Sequence, residues 1–146
     1  MPITVLNRTH AKLDRTRLRR VAAAAMQAEG CLRRGELNIV IGDDAWIQEL
    51  NETYKGVRRP TDVLAFPQDA FPKAEDPILG DVAISLETAA RQAATLGHPA
   101  AQELEILLVH GILHLTGWRD DTPPRRRRMM ARTQEILAQT PGATRP

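Results

Sequence analysis

Val109-His110-Gly111-Ile112-Leu113-His114-Leu115-Thr116-Gly117-Trp118-Arg119-Asp120-Asp121 combines a helix, a helix stop and a return of the chain. Two histidines four apart on a helix project the same way, one turn above the other. At about 100° per residue, Glu103, Leu107, His110 and His114 share one stripe. Leu104, Leu108, Gly111 and Leu115 share the next, so the histidines sit at the margin of the buried face. Gly117 ends the helix with the positive φ that glycine tolerates. A residue a few positions later can then fold back towards both imidazoles. Asp120 has that position, and Asp121 is the alternative. Two nitrogens, one carboxylate oxygen and an open fourth position make a catalytic rather than a closed structural zinc arrangement. The competing account is plain: an i,i+4 histidine pair alone is more often ordinary histidine, and aspartates after a glycine are often turn residues. Thr122 beside Pro123 is the better helix cap, which leaves Asp120 less employed structurally.

Glycine follows His110 where the metalloprotease pattern His-Glu-x-x-His carries its general base. The usual zinc-protease route is therefore disfavoured. The missing side chain is also expected to leave room beside a metal for a bulky group such as a phosphodiester.

Outward from this stretch, the periods alternate between strand and helix. Ile3–Leu6 reads as a short strand, and residues 11–28 read as a helix stopped by Gly30. Glu36–Ile41 reads as a strand, with Leu37, Ile39 and Ile41 alternating against Asn38 and Val40. Asp43 or Asp44 caps a helix that runs to Tyr54, and Gly56 ends it. Asp62–Phe66 is a strand closed by Pro67. Residues 67–79, with three prolines, are expected to be a mobile surface loop. Gly80–Leu86 is a further strand. Residues 87–96 and 100–116 are helices ended by Gly97 and Gly117. A last helix runs from Pro123 to about Gln139. One domain over residues 1–139 is expected, with residues 140–146 a disordered tail.

The 146 residues can bury a core without staples. With 42% hydrophobic and 26% charged residues the chain has ordinary globular composition. Aromatics are only 3%, too few for a base-stacking surface. Cys31, the lone cysteine, excludes an internal disulfide and fits a reducing compartment. No run is apolar enough to span a membrane, and no signal-peptide pattern opens the chain, so a cytoplasmic protein is expected. The net charge of +2 is mild. Arginine clusters at Arg15–Arg20, Arg33–Arg34, Arg58–Arg59 and Arg125–Arg128 could still meet a polyanion; solvated helix faces are the bland alternative. An arginine run at a helix N-terminus opposes the helix dipole, which favours a partner role for Arg125–Arg128.

Leu50-Asn51-x-x-Tyr54-Lys55-Gly56, then Pro60-Thr61-Asp62-Val63-Leu64-Ala65-Phe66-Pro67, then Leu79-Gly80-Asp81-Val82, precede the His110–Asp121 stretch. In this order and spacing the four blocks resemble the signature of the YbeY family, and the likeness runs from about Ile3 to Leu137. The resemblance implies a zincin-like α+β domain with a small mixed four-stranded sheet and about five helices. It also implies a zinc-dependent, single-strand-specific endoribonuclease, with one zinc per chain. Such an enzyme would act on the 3′ end of 16S ribosomal RNA and in ribosome quality control, with the small ribosomal subunit as partner. The family's first two metal histidines correspond to His110 and His114. Its third histidine falls on Asp120, the aspartate before it on Arg119, and its cleft arginine on Lys55. Zinc accepts a carboxylate in place of histidine, but the extra negative charge weakens the site as a Lewis acid. Lys55 keeps the charge but loses the planar fork that suits phosphate.

In this reading, metal at His110, His114 and Asp120 assists phosphodiester cleavage, and Lys55 neutralises charge on the phosphate. Arg58, Arg59 and the run starting at Arg125 hold the flanking backbone. Thr61, Asp62 and Asp81 are supporting residues by the resemblance, with turn and cap chemistry the competing account. Either water or the ribose hydroxyl could attack. One rival is a non-catalytic, metal-stabilised ribosome-assembly factor that binds RNA. Another is a hydrolase of small amides or esters, which the arginine runs and Gly111 oppose.

Overall fold

Alternating burial builds the sheet. The computed structural model describes residues 3–31, 36–67 and 78–142. Along these run β1 (Ile3–Asn7), α1 (Arg15–Ala28), β2 (Glu36–Gly42), α2 (Asp44–Lys55), β3 (Val63–Pro67) and β4 (Ile78–Ser85), followed by α3 (Leu86–Leu96), α4 (Ala100–Leu115) and α5 (Pro123–Gln139). The strands form one sheet in the order β1-β2-β4-β3. β1, β2 and β4 are parallel, and β3 is antiparallel on the edge beside β4. Side chains one residue apart face opposite ways, and the register keeps each row on one face. Val5 pairs with Ile39, and Ile39 with Val82. These join the main core with α1, α3, α4 and α5. The next row, Leu6, Val40, Ala83 and Leu64, faces the other way, where Ile47, Trp46 and Leu50 of α2 cover its β3–β4 end. The expected α+β architecture, with a mixed four-stranded sheet and five helices among the described residues, is what the chain adopts.

α4 is the central helix. Glu103 to Val109 and Gly111 to Leu113 are all buried, as expected of a helix packed on several sides. Gly111 permits its closest approach to the sheet: a Cβ there would lie 2.6 Å from Val82 Cγ1 and 3.1 Å from Val63 Cγ2. This corrects the expectation that Gly111 opens space beside a metal. The bare face is filled by β4 and β3.

Element ends follow cap chemistry. α1 begins at Arg15 rather than residue 11, because Asp14 accepts from the Arg17 amide at 2.9 Å. The preceding turn is held by Asn7, whose side chain donates to the Ala11 carbonyl and accepts from the Thr9 amide. Asp43 caps α2 through the Trp46 amide at 2.8 Å, and Thr122 caps α5 through the Arg125 amide at 3.2 Å. β4 starts at Ile78, inside the stretch read as a loop; residues 68–77 of that stretch lie outside the described residues. The tail expected from Thr140 onward is docked in its first part. Thr140 is buried, and the Pro141 carbonyl accepts from Arg17 Nη1 at 2.7 Å. Residues 143–146 lie outside the described residues. Among the described residues no helix is long and apolar enough to cross a membrane.

Candidate metal centre

The centre forms where α4 ends and its following loop turns back. Residues His110 and His114 lie at the edge of the buried face, both partly exposed. Their rings meet edge-on, with centroids 4.7 Å apart. Gly117 takes φ +103°, and the Trp118 amide donates to the Leu113 carbonyl at 3.0 Å. The chain thereby reverses and brings Asp120 back. Asp120 Oδ2 lies 3.2 Å from His110 Nε2 and 3.5 Å from His114 Nε2. One ligand atom from each of the three residues fits within a 4.8 Å cluster.

These spacings suit a small divalent cation. Tetrahedral ligands at the usual zinc distances of about 2.0–2.2 Å sit roughly 3.4 Å from one another. Both Asp120–histidine separations fall near that edge length. Two neutral imidazoles and one carboxylate also match the donor chemistry of zinc and its first-row neighbours. The third requirement is the right tautomer. His114 Nδ1 lies 3.2 Å from the Trp118 carbonyl, an acceptor that places the ring hydrogen on Nδ1 and leaves the Nε2 lone pair for a metal.

Electrostatics point the same way. The pKa of His114 is pushed below the ordinary histidine range, first by burial and then by the nearby His110. The Asp120 carboxylate and the Trp118 carbonyl act in the opposite sense, and the Lys55 ammonium adds to the lowering. A lowered pKa keeps the imidazole neutral, the form that coordinates. Lys55, at the end of α2, is thus among the charges around His114.

Asp121, the alternative ligand, is otherwise employed. Arg119 contacts its Oδ2 at 2.7 Å and Arg125 its Oδ1 at 2.8 Å. Both cations hold its carboxyl below the usual carboxylate range, the hydrogen bond from Arg125 most strongly. Arg126 Nη1 donates to the Asp120 carbonyl at 3.3 Å. The start of the arginine run therefore has a local task, anchoring the loop that carries Asp120. The sequence favours a partner role for the run because it opposes the helix dipole; these contacts give its first two arginines a structural role as well.

The family model described as Endoribonuclease YbeY matches residues 4–141. The chain belongs to the YbeY endoribonuclease family. It is 47% identical over 130 residues to the protein named Endoribonuclease YbeY of Moorella thermoacetica, with 83% of each chain covered. With the Endoribonuclease YbeY of Salinispora tropica it shares 38% identity over 149 residues, covering 94% of this chain and 95% of that one. The solution structure of TM1509 from Thermotoga maritima superposes with a TM-score of 0.60 at 22% identity. It covers 94% of this chain and 90% of its own, a likeness of fold. The family expected from the four sequence blocks is the family found.

The other candidate residues divide by position. Arg58 and Arg59 are exposed; Arg58 Nε is 3.7 Å from Glu52, and the Arg59 carbonyl accepts from Asn51 Nδ2 at 3.0 Å. Asp62 performs turn chemistry: its Oδ1 accepts from its neighbour's amide, that of Val63, at 2.7 Å, and its Oδ2 accepts from Gln92 at 3.2 Å. Thr61 Oγ1 reaches Asp62 Oδ1 at 3.4 Å. Asp81 alternates with Val82 and so faces the α2 side of the sheet, opposite α4, where it accepts from Asn38 Nδ2 at 2.9 Å. It lines a groove of about 720 Å³ with Asn38, Tyr54 and Phe66, away from the histidine cluster. The strand's two-residue period turns it to that face. Trp118 and Glu29 escaped the sequence reading. Trp118 stood within the decisive stretch, but Glu29, its indole's acceptor, is 89 positions away.

Proposed function

We propose that the chain is a zinc-dependent endoribonuclease that cleaves single-stranded RNA in the cytoplasm. In this proposal it matures the 3′ end of 16S ribosomal RNA and takes part in ribosome quality control at the small subunit. Family membership supports the reaction class. The observation that carries the metal dependence is the convergence of His110, His114 and Asp120 donor atoms within 4.8 Å of one another. Zinc bound there would supply positive charge to a phosphoryl oxygen and acidify water. His110 and His114 would hold the ion by their Nε2 atoms, and Asp120 by Oδ2. Lys55, whose charge contributes to the field at His114, would neutralise charge that develops on the scissile phosphate. The exposed guanidinium groups of Arg58, Arg59 and Arg126–Arg128 meet the flanking backbone, so binding weakens with salt. Arg125 contributes only where a phosphate displaces Asp121 from it.

The test compares cleavage of a single-stranded RNA and its duplex by zinc-loaded wild type, chelated protein and His114→Ala. Cleavage of the single strand by the loaded wild type alone is expected. RNA binding without metal-dependent cleavage would replace this reading with a non-catalytic assembly factor.

A further inference from the structure

We infer that Glu29, at the C-terminal end of α1, is a positioning residue for the metal centre, acting on His114 through Trp118. The inference rests on the zinc reading above and extends it to a residue outside the ligand stretch. Glu29 Oε1 accepts from Trp118 Nε1 at 2.7 Å and lies 3.3 Å from Thr116 Oγ1, whose one hydrogen also has the Leu113 carbonyl at 3.0 Å. Its Oε2 accepts from Arg132 Nε at 3.0 Å, and Arg132 Nη2 donates to the Ala28 carbonyl at 2.9 Å. The Glu29 side chain is only 10% exposed. A carboxylate with charged and neutral donors on both oxygens, largely out of water, has one orientation.

That orientation is passed to the centre by one residue. The Trp118 indole is bonded to Glu29, while the Trp118 amide is bonded to Leu113 and its carbonyl lies against His114 Nδ1. The residue before it, Gly117, has no side chain and a positive φ. Left to itself, a glycine hinge leaves the following peptide free to rotate. The amide bond to Leu113 holds the peptide before Trp118 and the indole–carboxylate bond holds its side chain, and together they fix the carbonyl that selects the His114 tautomer. An ion pair between Glu29 and Arg132 would satisfy the two charges without Trp118. The second oxygen is turned instead on the ligand loop, through Trp118. Partners of this kind behind a metal-bound histidine set its basicity and direction.

Zinc affinity of the full chain, measured by competition with a chelating dye, tests this. Glu29→Ala and Trp118→Phe should each bind zinc about tenfold more weakly than wild type. The double variant should be no weaker than the weaker single, because one linkage is broken in each case. Glu29→Gln should fall between, since its amide oxygen still accepts from the indole. Arg132→Met should lower resistance to urea and weaken zinc binding less than Trp118→Phe does, because the indole still holds Oε1 while Oε2 loses its donor. The inference is overturned if Trp118→Phe binds as tightly as wild type, which holds even should Glu29→Ala fail to fold. It is equally overturned if Arg132→Met weakens zinc as much as Trp118→Phe does, for the cluster would then act only through stability. A wild type that takes up no zinc would remove the metal reading itself, and the inference with it.

Discussion

Asp120 and Asp121 are chain neighbours with opposite employments. Asp120 turns its carboxylate between two imidazoles, whereas Asp121 lies between two guanidinium groups. Metal analysis of the purified protein should therefore find the ion lost from Asp120→Ala and kept by Asp121→Ala. Equal retention in both would dissolve the three-ligand set. Lys55 is a second case at this scale. Its charge helps to lower the His114 pKa, so Lys55→Met should raise it. The shift is readable as the imidazole titration of metal-free protein by NMR, and an unmoved titration would place the ammonium too far to assist a phosphate. Gly111 is the third. Adding a methyl group against Val82 should cost about 2 kcal/mol of stability in urea unfolding. A Gly111→Ala protein as stable as wild type would show that α4 can move away from the sheet freely.

At the scale of elements, period and caps were legible and side-chain direction was only partly so. The histidine face of α4 follows from helical projection because a buried helix leaves few alternatives for its margin. The Gly117 stop follows from backbone sterics. The place of Asp81 did not follow from its block, because strand alternation sends it to the face opposite Val82. Nor was the task of Arg125 read, although its partner Asp121 stands only four positions before it. α2 carries a test of its own. Burial opposes ionisation of Asp44, but hydrogen bonds from Ser85, Thr88 and Arg91 outweigh it and hold the pKa below the ordinary value. A carboxyl depressed in the folded state contributes stability above its unfolded pKa and loses it as pH falls through the folded one. Asp44→Asn should thus cost about 1 kcal/mol at neutral pH. The difference from wild type should shrink steadily below about pH 4. Urea unfolding at both pH values checks this; a constant difference would mean the charge is not involved.

Across the whole molecule, a buried ion pair ties three distant segments together. Arg17 of α1 and Glu105 of α4 meet through two hydrogen bonds of 3.2 and 3.1 Å. A third bond from Arg17 holds the Pro141 carbonyl after α5. With 10% and 6% side-chain exposure, neither charge has water to fall back on. Glu105→Leu alone should destabilise by about 3–5 kcal/mol, because it strands a buried guanidinium. Arg17→Met combined with Glu105→Leu should recover most of that loss. If the double variant is as unstable as the single, the pair contributes specific geometry beyond its mutual charge. The Arg17 bond to the Pro141 carbonyl ties the chain down just after α5, where its composition reads as a tail.

Local rules acting on the chain alone determined the alternation of elements, the caps, the helix stop at Gly117 and the pairing of two histidines on one face. Each depends on residues within a turn or two of one another, so sterics and spacing suffice. Tertiary structure decided which aspartate meets those histidines, which sheet face each polar strand residue occupies, and that Glu29 stands behind Trp118. Those outcomes depend on how α1, α4 and α5 pack around a shared core, and a contact across 89 positions leaves no periodic trace in the order of residues.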